Sequence, residues 1–136
     1  YSVPLFERGN RLGQLKAKWL PYYEEGLRSE RLETVLCYCH NNLDHVPLYV
    51  DRELYFQAFH RLYDASREFL QALFISRRTY PIAYDKWIRE QVEEILGMPE
   101  LYRQLPHLFE IEHFESGEIA KKAELLNHLL EKHVKK

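Results

Sequence analysis

Large apolar residues recur at helical spacing, mostly in steps of three or seven positions, from Phe56 to Leu73, and this spacing constrains the fold more than any other feature. The positions that follow it are Phe56, Phe59, Leu62, Phe69, Leu70 and Leu73. On a helix of 3.6 residues per turn, positions with this spacing share one face. The pattern predicts a helix of about seven turns. It is expected to run from a cap at Asp51, with Glu53 in its first turn, to about Arg77.

Further segments have helical patterns. They comprise residues 12–19, 29 to just before Pro47, 84–96, 99–105 and a C-terminal segment capped by Ser116. The one candidate for a strand, residues 46–50, is short and contains a proline, which disfavours a position inside a sheet. Amphipathic helices with short connections are typical of helical bundles. The predicted fold is therefore all-α: an up-and-down antiparallel bundle of four to five helices.

Composition sets the broad class of the protein. The chain has 136 residues, of which 46% are hydrophobic, and this length suits a single helical domain over residues 1–136. A net charge of -2 does not favour nucleic acid as a partner. No apolar run approaches the ~20 residues that a membrane span requires. The two cysteines, Cys37 and Cys39, favour buried, reduced thiols and a cytoplasmic location.

Cations and aromatic rings are concentrated where one predicted helix ends and the next begins. They are Arg77, Arg78, Tyr80, Lys86 and Trp87. A helix start binds anions through its unpaired N–H groups, and Lys86 there opposes the helix dipole, which often has a functional reason. One interpretation is a site that binds phosphate and stacks a base. In the alternative, Lys86 is solvated, Asp85 caps the helix and Trp87 lies in the core.

A second candidate group lies on one face of the long helix. His60, Asp64 and Arg67 are spaced by four and three residues, so they can line a substrate-binding cleft that includes a proton acceptor. The same spacing also suits a solvated face with an Asp–Arg pair. No metal site is predicted, because the Cys-x-Cys at Cys37 and Cys39 lacks the paired spacing of structural zinc sites.

The order of residues from Phe69 to Ile88 resembles the C-terminal helical domain of bacterial nucleotidyltransferase-like proteins related to the aminoglycoside adenylyltransferases. In that family an apolar helix ends at a basic position, which Arg77 or Arg78 matches here, and a Lys-Trp pair follows, which Lys86 and Trp87 match. Ser76 stands where the family usually has Asn. The similarity covers roughly residues 50–135.

The resemblance implies a nucleotide- and substrate-binding domain that assists transfer of a nucleoside monophosphate to a small-molecule hydroxyl. The nucleotide would contact Arg77, Arg78, Tyr80, Lys86 and Trp87. A nucleoside triphosphate with Mg²⁺ and an N-terminal nucleotidyltransferase domain belong to the parent protein, because the Gly-Ser…Asp-x-Asp motif of the family is absent here.

We therefore expect this chain to be the C-terminal part of a longer protein, since it begins at Tyr1 and its only Met is Met98. Alone, it is expected to be catalytically inactive. Whether the parent protein is an active enzyme, and whether the bundle forms a homodimer, are left open. The alternative function is a non-enzymatic helical bundle that mediates protein–protein interaction.

Overall fold

The computed structural model describes residues 9–19 and 24–135, and within these ranges it contains helices and no strand. The helical elements are α1 (Arg11–Trp19), α2 (Glu25–Asp51), α3 (Tyr55–Ser76), α4 (Ile88–Glu90) with a π-helical continuation (Gln91–Ile95), α5 (Pro99–Gln104), a 3-10 turn (Pro106–Leu108) and α6 (Glu118–His133). The prediction of an all-α fold is therefore confirmed.

The bundle is formed by three long helices and one interrupted leg. α2 and α3 make an antiparallel hairpin, and α6 packs on both of them. Phe56, at the start of α3, contacts Phe114, just before α6, and Val134, just after α6, packs against the cluster that contains Ile75 at the end of α3. α3 and α6 therefore run in the same direction. The short elements from α4 to the 3-10 turn form the leg that returns the chain between them.

One buried cluster holds these elements together. Its fully buried members from the three long helices include Val46, Leu62, Phe69 and Leu126. The return leg adds buried side chains of its own, among them Leu101 and Leu108. Complete burial of a side chain of this size contributes about 1.5–3 kcal/mol relative to exposure, so the short elements are anchored by their core residues.

The prediction that the second helix stops before Pro47 is wrong, because α2 continues to Asp51. Proline inside a helix leaves the carbonyl of the residue four positions earlier without its N–H partner and costs about 3 kcal/mol. Here that cost is offset by packing on either side of it. Val46 is fully buried, and Tyr49 and Val50 pack against the core.

The hairpin turn also differs from its prediction. Asp51 ends α2 instead of capping α3, and Glu53 has a left-handed φ of 58°. The N–H of Glu53 donates to the carbonyl of Val50, and the N–H of Leu54 donates to that of Tyr49. This is the Schellman pattern, which normally places glycine where Glu53 stands. Local sequence signals for a helix start therefore fall on a helix end.

A buried polar bridge joins α2 to α3. Asn42 is buried; its side-chain amide donates to Glu68 at 2.9 Å and accepts from Arg61 at 2.6 Å. Burial raises the pKa of Glu68, while the hydrogen bond from Asn42 opposes that shift. Because a sliding movement of one helix would break both hydrogen bonds, this bridge favours a single register of α2 against α3.

Candidate functional site

The end of α3 is fixed by backbone hydrogen bonds. The N–H of Arg78 donates to the carbonyl of Ile75, and the N–H of Thr79 donates to that of Phe74. Arg78 has a φ of 51°, so this is a second Schellman motif without glycine. The guanidinium of Arg78 pairs with Glu25, at the start of α2, at 2.7 Å. Hydrogen bonds from Arg28 and then from Arg78 lower the pKa of Glu25 to about 2.

Arg77 lies in different surroundings from its neighbour. It lines a pocket of about 200 Å³ with Ser76, His133 and Lys135, at the ends of α3 and α6. The described contacts therefore separate Arg78, which pairs with α2, from Arg77, which faces α6. That both arginines meet Lys86 at one phosphate stays a prediction.

The start of the next helix differs from its prediction over residues 84–87. α4 begins at Ile88, so Lys86 precedes the helix and does not lie in its first turn. Lys86 and Trp87 are both exposed, Trp87 by 57%, and Trp87 has a left-handed φ of 50°. Trp87 is therefore available as a surface ring and is not part of the core. Tyr80 is half-buried.

The side chain of Gln91 holds residues 82–86 in place. Gln91 is only 1% exposed. Its Oε1 accepts from the N–H of Ile82 at 2.6 Å and of Ala83 at 3.3 Å. Its Nε2 donates to the carbonyls of Ala83 and Lys86, each at 2.7 Å. Sequence reasoning missed this residue; the available signal was a polar side chain among the apolar positions of a helical pattern.

The three residues of the predicted substrate-binding stripe are brought together on α3. The imidazole Nε2 of His60 lies 3.2 Å from Asp64, and Nη1 of Arg67 lies 3.8 Å from the same carboxylate. This is the geometry of a solvated ion-pair face, in which such contacts contribute little to stability. Arg67, however, also lines a pocket next to this face.

That pocket lies between α3 and the return leg, and it is lined mainly by apolar side chains. Its volume is about 90 Å³. The lining residues are Tyr63, Ser66, Arg67, Leu70, Tyr84, Asp85, Ile88, Leu105, Leu108 and Phe109. Arg67 comes from the predicted stripe, and Asp85 directly precedes Lys86 in the chain. The pocket, referred to below as the aromatic pocket, thus joins parts of both predicted groups of site residues.

A row of aromatic rings leads from the start of α3 to the aromatic pocket. Ring centroids are 5.0 Å apart for Phe56 and Phe114, 5.6 Å for Phe114 and Phe59, 6.2 Å for Phe59 and Phe109, and 5.9 Å for Phe109 and Tyr63. These distances fall within the favourable range for aromatic pairs. Phe56 is 81% exposed. We call these five side chains the aromatic row. The sequence pattern indicated only Phe56 and Phe59, two of its members on α3.

The two cysteines have unlike surroundings. Cys39 is fully buried, its thiol donates to the carbonyl of Ala65, and burial raises its pKa to about 12. It is therefore unreactive as a thiolate at neutral pH. Cys37 is exposed, contrary to the prediction that both thiols are buried. Within residues 9–19 and 24–135, no three His, Cys, Asp or Glu side chains are grouped to hold a metal ion.

Comparisons with family models, with curated proteins and with solved structures gave no match to this chain. Among the helices described, none has the length and apolar character needed to cross a membrane.

Proposed function

We propose that this bundle is the nucleotide- and substrate-binding domain of a nucleotidyltransferase-like protein, with the aromatic pocket receiving a ring of the ligand. The observation that supports it is the composition of that pocket. Apolar and aromatic walls combine with the side chains of Arg67 and Asp85. Ligand sites typically have this character, with mostly apolar surface and a few polar groups that orient the ligand.

The size of the pocket limits what it can hold. Engineered apolar cavities of about 150 Å³ bind benzene, whereas this pocket measures about 90 Å³. A single ring therefore enters only in part and stacks against Tyr63, Tyr84 or Phe109. Stacking of a base on an aromatic side chain contributes about 1–3 kcal/mol. The remaining parts of the ligand stay outside, near the charged residues.

Lys86 is the cation best placed to bind a phosphate of such a ligand. It follows Asp85 of the pocket lining, and its backbone carbonyl is held by Gln91. A segment held in place before binding loses less conformational freedom when the ligand arrives. Arg67 is a second cation beside the pocket. Catalytic Mg²⁺ ligands are assigned by this proposal to the preceding domain.

The test is a calorimetric titration, with each Mg²⁺–nucleoside triphosphate, of the protein that carries both domains. Lys86→Ala should weaken binding of the preferred triphosphate tenfold or more, since a charge-assisted contact contributes about 1.5–3 kcal/mol. Lys86→Arg should recover part of the affinity. Tyr84→Ala should weaken binding through lost stacking, and Lys121→Ala, an exposed lysine on α6, is the matched control. Equal affinities for the Lys86→Ala and control proteins would contradict the proposal.

A non-enzymatic interaction domain is the second candidate, and the aromatic row favours it. Exposed apolar patches often mark protein–protein contacts, and aromatic residues are enriched at interfaces. A Gly-Ser…Asp-x-Asp segment encoded upstream of Tyr1 supports the first function, and its absence supports the second. In addition, Phe56→Ser should abolish partner binding in the second case and leave triphosphate binding unchanged in the first.

A further inference from the structure

A second pocket, distinct from the aromatic pocket, lies where α3 and α6 end. Its volume is about 200 Å³, and it is lined by Ser76, Arg77, His133 and Lys135. The hydroxyl of Ser76 donates to the carbonyl of Leu73 at 2.8 Å, so it offers lone pairs and no proton to the pocket. The groups that remain to bind a ligand are a guanidinium, an ammonium and an imidazole.

Two permanent positive charges, those of Arg77 and Lys135, line this pocket. Within residues 9–19 and 24–135, no carboxylate forms an ion pair with Arg77 or Lys135. The neighbouring Arg78, in contrast, is paired with Glu25. Two like charges that line one pocket raise the free energy of that pocket unless an anion is bound.

The imidazole of His133 adds an independent observation. Its Nε2 atom is buried and has no hydrogen-bond partner among the residues that the structure describes. Buried polar atoms of this kind are rare, and each calls for an explanation. Burial, followed by the nearby charges of Lys132, Arg77 and His128, lowers the pKa of His133. All the charged groups named here are basic, so each of them disfavours the protonated imidazole.

The helix dipole explains part of this arrangement. Cations at the C-terminal ends of helices are stabilised by the exposed carbonyls, which accounts for a basic residue at each of the two ends. It does not account for the meeting of two cations in one pocket, where no carboxylate of the described residues pairs with either of them. Moreover, the Schellman motif already supplies N–H donors to the last carbonyls of α3. These carbonyls therefore have less need of Arg77 as a hydrogen-bond donor.

We infer that Arg77, His133 and Lys135 form a binding site for a phosphoryl group. Arg77 and Lys135 line this pocket together with His133, and Arg and Lys are the usual phosphate-binding cations in proteins. An anion in this pocket would favour the protonated imidazole of His133, whose pKa is lowered by burial and then by nearby cations that include Arg77. This inference goes beyond the proposed function, because it uses neither Lys86 nor the aromatic pocket. Either proposal can therefore fail while the other holds.

The experiment is an NMR titration of ¹⁵N-labelled chain with inorganic phosphate, glycerol phosphate or sodium chloride at equal ionic strength. Phosphate should shift the imidazole resonances of His133 saturably and raise the pKa of His133, while chloride should do neither. A stronger response to glycerol phosphate than to inorganic phosphate identifies a phosphomonoester as the ligand. The reverse order identifies free phosphate.

Arg77→Gln and Lys135→Gln should each weaken phosphate binding tenfold or more. Arg52→Gln is the matched control, because it removes an exposed arginine at the α2–α3 turn, at the other end of the bundle. If Arg77→Gln alters the backbone spectrum, Lys135→Gln decides. Equal shifts with chloride, or equal affinities in all three variants, would overturn the inference.

Discussion

At the scale of single residues, Gln91 has a structural role that the sequence does not reveal. Its buried side-chain amide satisfies four backbone groups of residues 82–86. In Gln91→Met, a similar volume remains but these groups lose their partners. Each unsatisfied buried group costs about 1–3 kcal/mol, and opening of the segment to water limits the total. We expect a loss of about 2–3 kcal/mol in urea unfolding.

Hydrogen exchange distinguishes this role from simple core packing. The amides of Ile82 and Ala83 should exchange faster in Gln91→Met, while the amides in the middle of α3 follow only the global stability. Val92→Ala, a change at the adjacent buried position, is the control that reduces packing and leaves the amide in place. Unchanged protection of Ile82 in Gln91→Met would show that the hydrogen bonds do not hold this segment.

At the scale of helices, the ends of α2 and α3 place charged residues where glycine is favoured. Glu53 has a left-handed φ, a conformation that costs a residue with a Cβ atom about 1–2 kcal/mol. Glycine avoids this cost but loses more entropy on folding. We expect Glu53→Gly to raise the free energy of unfolding by about 1 kcal/mol in chemical denaturation. Glu53→Ala keeps the strain and should give no comparable gain; equal gains would exclude the conformational explanation.

The sequence predicts a helix accurately where its local pattern agrees with the packing in the folded protein. α3 and α6 were predicted to within a few residues, because their apolar stripes have the spacing that burial requires. The sequence predicts too early an end for α2, because proline is unfavourable inside an isolated helix. The packing of Val46 and its neighbours offsets this cost in the folded protein. α4 was predicted four residues too early, because nothing local signals that Trp87 adopts a left-handed conformation or that Gln91 pairs with the preceding segment.

At the scale of the whole molecule, sequence spacing predicted contacts within one helix and not contacts between distant elements. His60, Asp64 and Arg67 are neighbours on α3, as their spacing requires. The pairing of Arg78 with Glu25, 53 positions away, could not be read from the sequence. Nor could the approach of Arg77 to His133, or the meeting of Tyr63 with Phe109. These contacts depend on how α3 packs against α2, α6 and the return leg.

The pH dependence of folding tests the packing of α2 against α3. Burial raises the pKa of Glu68 above its ordinary value of 4.5. Between that value and the raised pKa, the folded protein binds a proton that the unfolded chain releases, so Glu68 makes stability increase as the pH falls through this window. Glu68→Gln cannot titrate. The stability of the variant relative to the wild type should therefore be greatest near neutral pH and should shrink toward pH 4.5.

The free energy of unfolding of both proteins should be measured with urea at each pH, and the difference between them compared. The lowered pKa of His133 makes stability decrease as the pH falls, but this effect is the same in both proteins and cancels in the difference. Glu25→Gln is the control with the opposite sign. The pKa of Glu25 is lowered to about 2, so its contribution to stability is present above pH 4.5 and is lost as the pH falls toward 2. That variant should be less stable than the wild type at pH 7, and the difference should disappear as the pH falls below about 2. A Glu68→Gln difference that does not change with pH would show that Glu68 is solvated and that the interface around Asn42 is open to water.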